Sequence, residues 1–157
     1  MAEHHASPPV LPASPTAPPV EAPFAATYPA ATLVVEDNLV NQKVLVRILQ
    51  KLGYAPHLAV DGQQAVDAFS DHTIDLVFMD LQMPVMDGLT ATRLIRAMEH
   101  LPRRPIIIAV TAAVTEEDRQ TCFAAGMDGF IAKPATMEQI MAEVRRCLPA
   151  PAASARA

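Results

Sequence analysis

Several short apolar stretches of this chain end in a residue able to do chemistry. Thr32-Leu33-Val34-Val35 runs into Glu36-Asp37, Leu76 to Met79 into Asp80, Ile106 to Val110 into Thr111, and Phe130-Ile131-Ala132 into Lys133. All five of these residues are polar, and three are acids. If the stretches are neighbouring strands of one sheet, the three carboxylates converge at one edge. An ionised pair about 5 Å apart costs roughly 3 kcal/mol at an effective dielectric of about 20. Three such pairs approach about 10 kcal/mol, comparable to the whole stability of a domain. The pocket must then hold protons, a cation, or both. Hard oxygen ligands without a converging His or Cys favour Mg2+, which keeps waters and recruits phosphate oxygens to its remaining positions. Taken singly, Asp37 or Asn38 could cap a helix, Asp80 a turn, and Lys133 could be a solvated charge. It is their joint placement at strand ends that points to a site.

The elements that must position these residues are legible from periodicity. Apolar runs alternate with amphipathic segments, the pattern of a parallel sheet with helices on both faces. The first strand, Thr32 to Val35, is followed by a helix whose apolar positions Val44, Leu45, Ile48, Leu49 and Leu52 recur at helical spacing, and Gly53 ends it. A weak strand near Pro56 to Val60 leads to Asp61-Gly62-Gln63-Gln64, a capping-box-like start for a helix with Ala65, Val66 and Phe69 inward. After Asp80 a loop, Leu81 to Val85, gives way near Asp87-Gly88 to a helix with Ala91, Leu94, Ile95 and Met98 on one face. Thr115 with Glu116, Glu117 and Asp118 supplies a cap and three acids at the start of the next helix, which Gly126 closes. Thr136 to Gln139 opens the last, with Met137, Ile140, Met141, Val144 and Leu148 inward. The expectation is an α/β, doubly wound sheet of five parallel strands with five helices, whose ligand site lies beyond the carboxyl ends of the strands.

Composition bounds what this unit can be. The chain has 157 residues, 51% of them hydrophobic and 18% charged, enough to bury one core. Eight of its 15 prolines fall in the first 30 residues. That Ala/Pro-rich stretch lacks spaced large apolar residues and is expected to be an extended linker, residues 1–30, with a similar tail at 149–157 and one folded domain at 31–148. Net charge is -5, the tidy basic stripe expected of a phosphate-backbone binder is missing, and Arg103-Arg104 and Arg145-Arg146 are isolated doublets, which argues against a nucleic-acid partner. No apolar run approaches the roughly 20 residues that span a bilayer, so a cytoplasmic chain without membrane contact is expected. Cys122 and Cys147 have no metal-ligand spacing and read as helix core thiols.

Four ordered strings, Leu33-Val34-Val35-Glu36-Asp37-Asn38, Met79 to Gly88, Ala109-Val110-Thr111-Ala112 and Ala125 to Pro134, resemble the receiver domain of two-component response regulators. Asn38 to Val44 is similar to receivers attached to hybrid sensor histidine kinases. The resemblance implies a flavodoxin-like fold and makes Asp80 the phosphoacceptor, whose carboxylate takes a phosphoryl group from a partner's histidine. Glu36, Asp37, Asp80 and the backbone carbonyl of Gln82 would hold Mg2+. Lys133 and the Thr111 hydroxyl would hold phosphoryl oxygens, and Thr111 with Phe130 would form the switch. It also implies a cis peptide between Lys133 and Pro134. The partner would be a histidine kinase or a histidine phosphotransfer protein in a phosphorelay.

The competing reading within the family is a freestanding single-domain regulator that docks on a target protein. From another class, an aspartyl phosphatase would want a second acid two residues after Asp80, where Gln82 stands. A nucleotide-binding domain fares worse, because the glycines at 53, 62, 88, 126 and 129 form no phosphate-cradling loop.

Overall fold

A computed structural model describes residues 22–148. The elements run α1 (Phe24–Thr27), β1 (Thr32–Val35), α2 (Leu39–Lys51), β2 (His57–Ala59), α3 (Gly62–Asp71), β3 (Leu76–Met79), α4 (Gly88–Arg96), β4 (Ile106–Thr111), α5 (Glu116–Ala124), β5 (Gly129–Ala132) and α6 (Met137–Cys147). The five strands form one sheet in the order β2-β1-β3-β4-β5, every neighbouring pair parallel. This is the flavodoxin-like winding, whose order reverses between β1 and β3.

Strand alternation divides the core into two layers. Leu33, Val35, Val77, Met79, Ile107 and Ala109 face one side, where Ala65 and Phe69 of α3, Ala91 and Ile95 of α4 and Cys122 of α5 cover them. Val34, Leu76, Phe78, Ile108, Val110 and Ile131 face the other, against Leu45 and Leu49 of α2 and Ile140 and Val144 of α6. β1 and β3 are buried at every position, as their unbroken apolar runs require of strands covered on both sides.

The helix starts follow the caps read from the sequence. Asn38, Asp61, Asp87, Thr115 and Thr136 each accept a hydrogen bond from the backbone three residues on, and Thr115 and Thr136 complete full capping boxes. At α3 the glutamine partner is displaced by one residue: Gln64 Oε1 accepts from Val60 N rather than from the cap's own amide. Gly53 and Gly126, expected as helix exits, have φ of 99° and 104°.

One expectation is corrected. The described part of the stretch read as linker is not extended throughout, because Phe24–Thr27 forms a sixth, short helix. Phe24, Ala25, Tyr28 and Ala30 pack on the α2/α6 layer, the Phe24 and Tyr28 rings stack 4.8 Å apart, and Ala25 N donates to Leu52 O at 2.8 Å. Two aromatics, eight and four residues before the first strand, suffice to seat the segment without helical periodicity. The rest of the expected linker, residues 1–21, and the tail at 149–157 lie outside the described residues.

Candidate functional site

Glu36 and Asp80 are adjacent because β1 and β3 are paired in register, Val35 opposite Met79, and the next residue of each leaves the sheet there. Asp80 N still donates to Val35 O at 3.0 Å, and Glu36 N to Ala59 O at 3.0 Å, so the ladder fixes both acids at its end. Period-two alternation then sets their direction. Val34, Phe78 and Ile131 face the α2/α6 layer, so Glu36, Asp80 and Lys133, each two residues on, continue that face. Thr111 follows Ala109 and Phe130 packs against the same layer as Ala109, which puts both on the other face.

The consequence is a compact charged cluster. One carboxylate oxygen each from Glu36, Asp37 and Asp80 lies within 4.8 Å of the others; Glu36 and Asp80 are buried and Asp37 is exposed. Lys133 Nζ donates to Glu36 Oε2 at 2.8 Å and to Asp80 Oδ2 at 3.2 Å, spanning two buried acids. Burial by itself would lower the Lys133 pKa. The hydrogen bond to Glu36 and the charges of Asp80 and Glu36 more than offset it, and the ammonium is held above its ordinary value.

Loop and helix backbone complete the cradle. Glu36 Oε1 accepts from Asn38 N at 3.1 Å, and Gln82 N reaches Asp80 Oδ1 at 3.4 Å. Thr111 is buried, and its hydroxyl oxygen accepts from Ala113 N at 3.1 Å; Lys133 N donates to the Thr111 backbone carbonyl at 2.9 Å, but among the described residues no hydrogen bond joins the Thr111 hydroxyl to the acids or to Lys133. Phe130 is half-buried beside it, its amide donating to Glu143 Oε2 at 3.1 Å. The Lys133-Pro134 peptide is cis, as the resemblance implied. The Gln82 side chain is exposed and belongs to the rim.

Residues 32–145 match the family model described as response regulator receiver domain. The chain belongs to that family. It is 42% identical over 123 residues to hybrid signal transduction histidine kinase H of Dictyostelium discoideum, an alignment covering 76% of this chain and 9% of that protein. The receiver thus spans a small fraction of the length of such curated relatives. Among solved structures it is similar to the receiver domain of sensor histidine kinase PA1611 from Pseudomonas aeruginosa, solved with a magnesium ion coordinated in the active site cleft. That match has 42% identity and a TM-score of 0.68, and covers 75% of this chain and 96% of that one. A second similar structure, 30% identical with a TM-score of 0.69 over 74% of this chain and 87% of that one, is the Saccharomyces cerevisiae Ssk1 receiver bound to the histidine phosphotransfer protein Ypd1.

Two residues that shape this receiver's site were not singled out from sequence. Gln42 is buried, and its Nε2 donates to Glu36 O at 2.6 Å, tying the first turn of α2 to the end of β1. The signal was present: 42, 45 and 49 lie on one helical stripe, so an amide at 42 is a polar group facing inward. Gly88 is the other. A Cβ there would lie 2.1 Å from the Asp80 carbonyl oxygen, so the start of α4 sits directly against the backbone of the central acid.

Proposed function

We propose that Asp80 accepts a phosphoryl group from the phosphohistidine of a histidine kinase or a histidine phosphotransfer protein, within a two-component phosphorelay. The observation that carries this reading is the Lys133 ammonium bridging buried Glu36 and Asp80 at the point where strand order reverses. In the transfer, an Asp80 carboxylate oxygen forms a bond to phosphorus as the bond to the donor's imidazole nitrogen breaks, and the bonding pair leaves with the imidazole. Lys133 already touches Asp80, and its ammonium is placed to follow the charge onto a phosphoryl oxygen. The Thr111 oxygen accepts from Ala113, which leaves its own O–H free to donate to a second phosphoryl oxygen.

The donor set fits Mg2+: three clustered carboxylates with no converging imidazole or thiolate, and a bare acid cluster of this density calls for a counter-charge. Glu36, Asp37, Asp80 and the Gln82 carbonyl are the proposed ligands. When bound, the ion supplies positive charge to the phosphoryl oxygens in the transfer. Once the acyl phosphate forms, the site becomes more negative by about one charge, because the phosphoryl group brings about two negative charges and consumes one carboxylate. That excess draws the Thr111 hydroxyl across the strand end, and half-buried Phe130 on the same face fills the space it leaves.

A protein donor is supported by the surface beside the site. Leu39, Val40 and Val44 on α2 are 62%, 68% and 46% exposed, and Pro134 is exposed next to them. A cleft of about 280 Å³ lined by Glu36, Asn41, Val44, Lys133, Pro134 and Ala135 runs between Val44 and Pro134 of this apolar rim and the Glu36–Lys133 pair. We place the chain in the cytoplasm, a compartment that suits its free thiols, Cys122 and Cys147. Among the described residues no helix is long and apolar enough to cross a membrane.

The test is incubation with acetyl phosphate, with Mg2+ or with chelator, followed by intact mass. A gain of one phosphoryl group that requires Mg2+ and vanishes in Asp80→Asn, whose fold persists by circular dichroism, is the expected result. Undiminished labelling of Asp80→Asn would refute the site, and labelling that ignores the chelator would refute the metal.

A further inference from the structure

The exposed face of α2 has a second half that the phosphoacceptor reading does not use. Lys43, Arg47 and Lys51 stand one turn apart, all exposed, and residues 39–51 contain no acid, although the whole chain carries a net charge of -5. Among the described residues none of the three is paired with a carboxylate. At 3.6 residues per turn, positions 39, 40, 43, 44, 47 and 51 fall within an arc of about 140°, and 43 to 51 extends about 12 Å along the axis. One helix face is therefore apolar at the end beside Lys133 and Pro134 and cationic over the two turns leading away from it.

We infer that this face reads its donor in two parts. It fits a phosphohistidine-bearing helix with apolar side chains next to the histidine and acidic side chains over the following two turns. The inference rests on Asp80 being the phosphoacceptor, since that fixes which end of α2 meets the histidine. Contiguity argues for one occupant: a helix laid along α2 to bring its histidine to Asp80 must pass over Lys43, Arg47 and Lys51. A row of basic side chains there leaves three ammonium or guanidinium groups facing like charge, whereas an acidic row complements them. Charges at such a rim act mainly on encounter rate and on rejection of wrong partners. The hydrophobic patch alone accepts any apolar helix, so the cationic ladder is the part that discriminates.

The experiment uses the full 157-residue chain and two phosphorylated versions of the yeast protein Ypd1. One carries Glu, the other Lys, at three surface positions about one helical turn apart, on the face of Ypd1 that meets a receiver in its co-crystal structure. Transfer to the wild-type chain is expected to be about tenfold or more faster from the Glu version at about 0.1 M salt. The gap should close towards about 1 M, where the Debye length falls to about 3 Å. In the triple variant K43E/R47E/K51E the preference is expected to reverse. Equal rates from both donors to wild type overturn the inference, as does a triple variant that keeps the wild-type preference. A wild-type chain that acetyl phosphate labels but that is indifferent to donor charge loses the ladder alone. A wild-type chain that acetyl phosphate does not label loses the phosphoacceptor reading, and the inference with it.

Discussion

Lys133 is the residue on which the resting site turns. Its ammonium spans Glu36 and Asp80 at 2.8 and 3.2 Å and supplies positive charge to two acids that are otherwise buried side by side. Lys133→Met keeps the apolar stem and removes that charge. Because breaking a buried pair strands the remaining charges, the expected loss is about 2 to 3 kcal/mol, discounted for the partial exposure of the lysine. It should appear as a lower urea midpoint at unchanged slope. A dication and the ammonium serve the same carboxylates. Saturating Mg2+ is therefore expected to raise the midpoint of Lys133→Met more than that of wild type, by linkage to the folded state alone. Equal gains in the two proteins would mean that lysine and cation do not share the acids.

Between residue and fold lies the β3–α4 loop, which sets the Asp80 backbone. Met86 N donates to Pro84 O at 2.7 Å across Val85, whose φ is 69°, a tight three-residue turn of the rarer hand. A β-branched residue is costly there, and Val85 is 83% exposed, so it loses no packing when trimmed. Val85→Gly is expected to stabilise the fold by about 1 kcal/mol, the relief at a positive φ outweighing the added chain entropy. An unchanged or lowered urea midpoint would show that the turn stores no such strain. Gly88→Ala should act in the opposite sense. Its Cβ meets the Asp80 carbonyl, a backbone group that cannot swing aside, so a loss of about 2 kcal/mol or more is expected. Acetyl phosphate labelling should slow about tenfold or more as Asp80 is displaced. The strands and helix caps around this loop were readable from sequence because each is a local signal: unbroken apolar runs at Leu33 to Val35 and Leu76 to Met79, a hydroxyl or carboxylate three residues before the amide it caps. What joined Glu36 to Lys133, 97 positions apart, was strand order, which no local period encodes; the family resemblance supplied it. The close approach of Gly88 to Asp80 was hidden for the same reason. The short helix at Phe24 escaped because an Ala/Pro-rich composition masked two well-placed rings.

At the scale of the whole molecule the chemistry and the chain's lead-in segment occupy opposite poles. The acids cap the carboxyl edge of the sheet, while α1 and Tyr28 are fastened where α2 ends and α6 packs. There Tyr54 Oη donates to Tyr28 O at 2.6 Å, and the Arg145 guanidinium lies 5.3 Å from the Phe24 ring centroid. The segment preceding β1 is thereby held near the last turn of α2, and the exposed face that begins at Leu39 points to the site end. Tyr54 makes this fastening testable. Burial, followed by the proximity of Tyr28, pushes its phenol up to about 12 from the ordinary 10.0. A folded-state pKa raised in this way means that the folded chain holds the proton more tightly. The associated stability is fully present below about pH 10 and is lost as pH rises towards about 12. Tyr54→Phe removes both the hydrogen bond and the ionisation. Near pH 8 the variant is expected to be about 1 kcal/mol less stable than wild type. Urea midpoints followed from pH 8 upward should show that gap narrowing between about pH 10 and 12, since only wild type loses a stabilised proton there. A gap that stays constant across this window would mean that the Tyr54 phenol is not buried beneath the lead-in segment in solution, and that the segment is not fastened at this pole.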